Sequence, residues 1–116
     1  MIALLMGLPT IAPRDLHRRM QNEPFVTFDV NMRMSWLTAR VPGARHLDPA
    51  AFEACDLPSD RDAALVFYCS NPLCRKAPNA ARRALQMGYT NVRVMSAGIS
   101  GWQRASLPVE SGEPAP

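Results

Sequence analysis

Cys69 is the residue of this chain whose setting best suits nucleophilic chemistry. It follows the continuous apolar segment of residues 63–68 and precedes a short loop that contains the basic residues Arg75 and Lys76. Cysteine attacks as its thiolate, and nearby backbone N–H groups or cationic side chains lower the thiol pKa below its ordinary value of about 8.5. The spacing therefore predicts a thiolate that attacks a small electrophile and holds an anionic adduct.

The residues that follow Cys69 form a predicted anion-binding loop. Beyond the carboxyl end of a buried parallel strand, successive backbone N–H groups and the start of the next helix can point at one anion. Arg75 is predicted to bind the anion through its fork of N–H donors, with a solvated loop charge as the alternative. For Lys76 the sequence favours neither of these two roles over the other. The predicted members of this loop are Ser70, Asn71, Leu73, Cys74, Arg75 and Lys76.

The chain has 3 cysteines and 2 histidines. This set fits neither a disulfide scaffold nor the spacing of a zinc site, so we predict no metal, free thiols and a reducing, cytoplasmic compartment. Cys74 is either a bystander or a resolving thiol that closes a disulfide with Cys69 and blocks it. Cys55 is predicted to be a packing residue.

Apolar strand patterns alternate with helical ones along the chain, which predicts an α/β domain with a mainly parallel sheet and helices on both faces. A helix start is expected at Asp48 and Pro49. Asp29, at the end of the first strand, is expected to support the structure. Arg33, Trp36 and Arg40 are candidates for a pocket wall, with surface charge and core packing as alternatives. Strands are predicted at 25–30, 45–47, 63–68 and 91–95. A first helix is predicted to start within residues 11–16, with Pro13 in its first turn, and to end at residues 22–24, and further helices are predicted near 79–87 and 99–105.

Composition limits the remaining possibilities. The 116 residues suffice for a single domain, 47% of them are hydrophobic, and the net charge is +3. That charge is too small and too scattered to indicate nucleic-acid binding, and no apolar stretch reaches the roughly 18 residues of a membrane helix. The opening apolar run lacks the features of a signal peptide, so residues 1–10 are predicted as an N-terminal extension of the fold. Residues 111–116 are predicted as a disordered tail.

The order of several short motifs resembles that of single-domain rhodanese-like sulfurtransferases over residues 11–110. The matching segments are Phe28-Asp29-Val30, Val41-Pro42-Gly43-Ala44, Val66-Phe67-Tyr68-Cys69, Gly88-Tyr89-Thr90-Asn91-Val92, Gly98-Ile99-Ser100-Gly101-Trp102 and Leu107-Pro108-Val109. The resemblance implies a five-stranded, mainly parallel sheet and a Cys69 persulfide that needs no cofactor. It also implies a small anionic sulfur donor such as thiosulfate, a thiol or cyanide acceptor, and an acceptor protein as a further partner.

The loop departs from the usual pattern of the family. Five residues separate Cys69 from Arg75 where four are usual, Pro72 lacks an amide proton, and Cys74 is a second thiol. The C-x5-R spacing also occurs in cysteine phosphatases and arsenate reductases of this fold, which form the alternative prediction. Against them, Tyr68 stands where such enzymes have His, and the loop lacks an acidic residue to act as general acid. A non-catalytic module for redox sensing or partner binding is the third hypothesis.

Overall fold

Strands and helices alternate through the part of the chain that the structure, a computed structural model, describes: residue 3 and residues 6–114. Because the paired strands are parallel, each connection between them runs from the carboxyl end of one strand back to the amino end of the next. The elements in chain order are α1 (Pro13–Met20), β1 (Val26–Asp29), α2 (Arg33–Thr38), β2 (Arg45–His46), a 3-10 helix (Ala54–Asp56), β3 (Leu65–Tyr68), α3 (Lys76–Gln86), β4 (Val92–Val94) and α4 (Gly98–Arg104).

The sheet has four strands within the described residues, in the order β2-β1-β3-β4, and all neighbours are parallel. The prediction of five strands is therefore wrong. The segment that could have formed a fifth strand makes one parallel bridge, between Thr10 and Val94. Pro9 accepts the Val94 N–H but has no amide proton to donate, and Pro13 begins α1, so only a short stretch can pair with β4.

Helices cover both faces of the sheet, as predicted. Side chains alternate between the two faces along β3, because successive residues of a strand point in opposite directions. Phe67 packs with the buried alanines of α3, whereas Val66 packs with Leu16 of α1 and Trp102 of α4. Cys69 continues the alternation and belongs to the core on the α3 side.

One predicted helix is absent from the described residues, and another begins earlier than expected. Asp48 starts a single turn, in which its carboxylate accepts the Ala50 N–H and its carbonyl accepts the Phe52 N–H. The turn ends at Glu53, whose backbone is extended (φ −121°, ψ 173°), and Phe52 lies in the core, where it is 2% exposed. The helix after the cysteine loop begins at Lys76, three residues before the predicted start.

Both ends of the described chain pack against the domain. Ala3 and Leu8 are buried in the core on the α3 side, whereas residues 1, 2, 4 and 5 of the predicted extension lie outside the described residues. Within the predicted tail, the Gly112 N–H donates to the Leu37 carbonyl (2.7 Å) and Glu113 pairs with Arg33 (2.9 Å). Residues 115 and 116 lie outside the described part. Among the described helices, none is long and apolar enough to cross a membrane.

Candidate active site

Cys69 lies directly after β3, the strand whose four residues are all buried. Cys69 is only 3% exposed. The start of α4 anchors the loop at this point, since the Ile99 N–H donates to the Cys69 carbonyl (2.9 Å) and the Ser100 N–H donates to the Ser70 carbonyl (3.0 Å). These bonds fix the backbone on both sides of the Cys69–Ser70 peptide and hence the position of the sulfur.

Gly98 allows this close contact between the loop and α4. Its φ of +68° is unfavourable for residues with a side chain, and a Cβ there would lie 2.5 Å from the Ser70 carbonyl carbon and 2.6 Å from the Asn71 nitrogen. Sequence analysis did not assign Gly98 to the site. Gly98 lies four residues after the end of β4, where a loop must meet the carboxyl end of β3, and a glycine at this position could have indicated a close backbone contact.

The loop turns back on itself at Asn71 and Pro72. The Cys74 N–H donates to the Asn71 carbonyl (3.1 Å), which closes a β-turn, and the Leu73 N–H donates to Asn71 Oδ1 (2.9 Å). Asn at the first position and Pro at the second are favoured in such turns. The turn therefore uses two of the amide protons that the predicted anion-binding loop would have offered.

A disulfide joins Cys69 to Cys74, with their Cα atoms 6.4 Å apart, and Cys55 is free. The prediction that all three thiols are free does not hold in this structure. The Cα separation lies within the range of ordinary disulfides. The cavity beside Cys69 has no room for a water molecule, and Cys74 and Asn71 both line it.

The other predicted loop residues lie outside the lining of that cavity. Ser70, Leu73, Arg75 and Lys76 are exposed, and none of them lines the cavity beside Cys69. Lys76 instead lines an open groove with Arg33, Asn31 and His46. Arg75 forms the N-cap position of α3, where its carbonyl accepts the Asn79 N–H.

Of the three candidate wall residues, only Arg33 lies in a groove near the loop. Trp36 is buried and donates through Nε1 to the Ala44 carbonyl (2.9 Å). Arg40 is 4% exposed, stacks on the Trp36 ring at 4.3 Å, and donates to the carbonyls of Trp36 and Gly112. Trp36 and Arg40 therefore pack the segment before Val41, which corresponds to the core-packing alternative.

A buried hydrogen-bond network connects β1 and β3 immediately before Cys69. The Tyr68 hydroxyl donates to Asp29 Oδ2 (2.7 Å) and accepts the Val41 N–H (3.0 Å), while Asp29 Oδ1 accepts the Asn31 N–H (2.9 Å). Burial raises the pKa of Asp29, although the hydrogen bond from Tyr68 opposes this effect. Burial and the adjacent Asp29 carboxyl both raise the pKa of Tyr68, so its hydroxyl remains a donor.

Cys55 occupies the exposed 3-10 helix, so its predicted role as a packing residue is wrong. Within residue 3 and residues 6–114, no three His, Cys, Asp or Glu side chains are grouped closely enough to hold a metal ion.

Comparisons with known families, sequences and structures each find proteins similar to this chain. The family described as rhodanese-like domain matches residues 12–105. Thiosulfate sulfurtransferase GlpE of Haemophilus influenzae is 27% identical over 106 residues, which cover 91% of this chain and 98% of that protein. The BH2092 protein of Bacillus halodurans has a similar fold, with a TM-score of 0.82 at 20% identity over 93% of this chain and 80% of its own.

The comparisons also include a protein of a different class. The HTH-type transcriptional regulator Rv0324 of Mycobacterium tuberculosis is 32% identical over 114 residues, 95% of this chain. The chain spans about half the length of that regulator, since the match covers 49% of it.

Proposed function

The chain belongs to the rhodanese-like domain family, and on this premise we propose that it is a sulfurtransferase with Cys69 as its nucleophile. The donor is a small anionic sulfur compound such as thiosulfate, and the acceptor is a thiol or cyanide. The observation that carries the proposal is the position of Cys69, at the carboxyl end of the central strand β3, where parallel α/β sheets bind their ligands. Thiosulfate sulfurtransferase GlpE, which the chain matches along nearly its whole length, supports the same reaction class.

The reaction begins from the reduced form of the cysteine pair. The Cys69 thiolate attacks the outer sulfur of thiosulfate, the new S–S bond forms, and sulfite leaves with the electron pair of the old bond. Exposed cations at the start of α3, Arg75 and Lys76, attract the dianionic donor from solution. The bonds from Ile99 and Ser100 hold the loop backbone fixed while the sulfur reacts.

The turn at Asn71 favours sulfur transfer over phosphate or arsenate chemistry. A cysteine phosphatase surrounds a tetrahedral oxyanion with loop amides. Here the N–H groups of Leu73 and Cys74 are bonded to Asn71, and Pro72 has none. Fewer loop amides therefore remain to bond the three equatorial oxygens of a phosphate or arsenate group. The single outer sulfur of a persulfide needs fewer donors.

The test follows the sulfur atom by intact-mass spectrometry and product assays. Fully reduced protein, freed of reductant and mixed with thiosulfate, should release sulfite, and cyanide present during the reaction should capture the transferred sulfur as thiocyanate. Cys69→Ser should abolish both products, whereas Cys55→Ser, which removes the exposed thiol, should retain them. Hydrolysis of a phosphate ester or reduction of arsenate without sulfite release would favour the alternative enzymes. Absence of all these activities in a folded protein would favour the binding or sensing module.

We also propose a reducing, cytoplasmic location, because the reaction requires the Cys69 thiolate and the structure closes that thiol in a disulfide. The observation to make is the redox state of the pair in cells, by trapping thiols with an alkylating agent before lysis. A pair that stays oxidised throughout growth would contradict the proposal.

A further inference from the structure

The second thiol of the loop is positioned to react with the first. Cys74 is partly buried and packs against the core on the α3 side, to which Cys69 also belongs. Two hydrogen bonds to Asn71 hold the turn that returns the chain toward Cys69, and neither bond depends on the disulfide. Reduction therefore leaves both thiols near each other, which gives Cys74 an advantage over thiols in solution.

We infer that Cys74 is the resolving thiol for the Cys69 persulfide, so that the protein releases its sulfur as hydrosulfide and ends each sulfur uptake with the Cys69–Cys74 disulfide. This inference rests on the proposed sulfurtransferase function and identifies the first acceptor as an internal thiol. A dithiol reductant from outside the chain then restores the starting state.

The atoms and electrons of the step balance. After sulfite has left, the Cys74 thiolate attacks Cys69 Sγ, the bond between the two Sγ atoms forms, and the persulfide bond breaks. The outer sulfur leaves with the bonding electron pair, and the proton of the Cys74 thiol makes it hydrosulfide. Two thiols are thus oxidised to one disulfide, and one sulfane sulfur is reduced to sulfide.

The closed loop has the properties expected of the product state. Cys69 is almost completely buried, and the cavity beside it has no room for water. A second donor molecule cannot reach Cys69 until the disulfide is reduced. Each turnover therefore consumes one dithiol, and a new turnover starts only after that reductant has opened the disulfide.

The experiment is a single turnover in the Cys55→Ser background, which removes the exposed thiol as a competing acceptor. Reduced protein, freed of reductant, is mixed with excess thiosulfate under anaerobic conditions, and sulfite, sulfide and intact mass are measured. The expected result is about one equivalent each of sulfite and sulfide per chain, with a final mass about 2 Da below that of the reduced protein. Dithiothreitol should restore the mass and allow a second turnover.

Variants of Cys74 identify the resolving thiol. Cys74→Ser and Cys74→Ala should release sulfite without sulfide and accumulate an adduct of about 32 Da. A stable adduct in the parent as well, without sulfide, would overturn the inference while upholding the proposed function. Sulfide release by both variants would show that Cys74 is not the resolving thiol and would overturn the inference. Loss of sulfur uptake in both variants would place Cys74 in the uptake step instead and would also overturn the inference. Absence of sulfite from the parent would refute the proposed function and the inference with it.

Discussion

Removal of the Tyr68 hydroxyl tests the network that fixes the strand end before Cys69. In Tyr68→Phe, the ring remains in the core, but Asp29 Oδ2 loses its donor and the Val41 N–H loses its acceptor. All three residues are 0% exposed, so water cannot replace the hydroxyl. A buried polar group without a partner costs about 1–3 kcal/mol, and two such groups predict a loss of about 2–6 kcal/mol. That is a large share of the roughly 5–15 kcal/mol of a typical domain.

The assay is urea unfolding at equilibrium, with the free energy of unfolding taken from midpoint and slope. Tyr89→Phe is the matched control, because Tyr89 is equally buried but its hydroxyl bonds the exposed Arg61 side chain (2.9 Å) and the Pro58 carbonyl. Solvent can take over those partners, so the control should lose about 1 kcal/mol. A Tyr68→Phe protein within about 0.5 kcal/mol of the parent would refute the reasoning.

The penalty of Tyr68→Phe should also depend on pH. Burial raises the pKa of Asp29 above its ordinary 3.8, so the folded state binds this proton more tightly than the unfolded state. The free energy of unfolding therefore falls as pH rises through the window above the unfolded pKa. The Tyr68 hydrogen bond limits this fall because it lowers the pKa. Without it, the penalty should be larger at about pH 7 than at about pH 4, and equal penalties would contradict the assignment.

Three further substitutions have distinct expected outcomes. Gly98→Ala should destabilise the fold by more than about 2 kcal/mol and slow persulfide formation by about 10-fold or more, because its Cβ would displace the loop backbone. Gly43→Ala, also at positive φ but with open space around it, should cost only about 1 kcal/mol in urea unfolding and leave the rate unchanged. Arg40→Lys should lose about 1–2 kcal/mol of stability, since a lysine cannot both stack on Trp36 and keep two carbonyl contacts; an unchanged melting midpoint would contradict this.

Local sequence patterns were sufficient to predict much of the architecture. The apolar run before Cys69, the proline at the start of α1 and the alternation of strands and helices carry information within a few residues, and the structure agrees with them. The predicted helix at Asp48 was wrong because its cap chemistry specifies only the first turn. Whether a helix continues depends on where the next apolar side chain packs, and Phe52 packs in the core.

The sequence by itself determined that a cysteine ends the buried central strand and that a turn-forming Asn-Pro pair and a second cysteine follow it. Only the tertiary structure decided that Cys74 meets Cys69, that Gly98 admits the loop against α4, and that Tyr68 bonds Asp29. The physical reason is distance along the chain. Hydrogen-bonding preferences of neighbouring residues act locally, whereas contacts between residues tens of positions apart arise only when the packed sheet brings strand ends together.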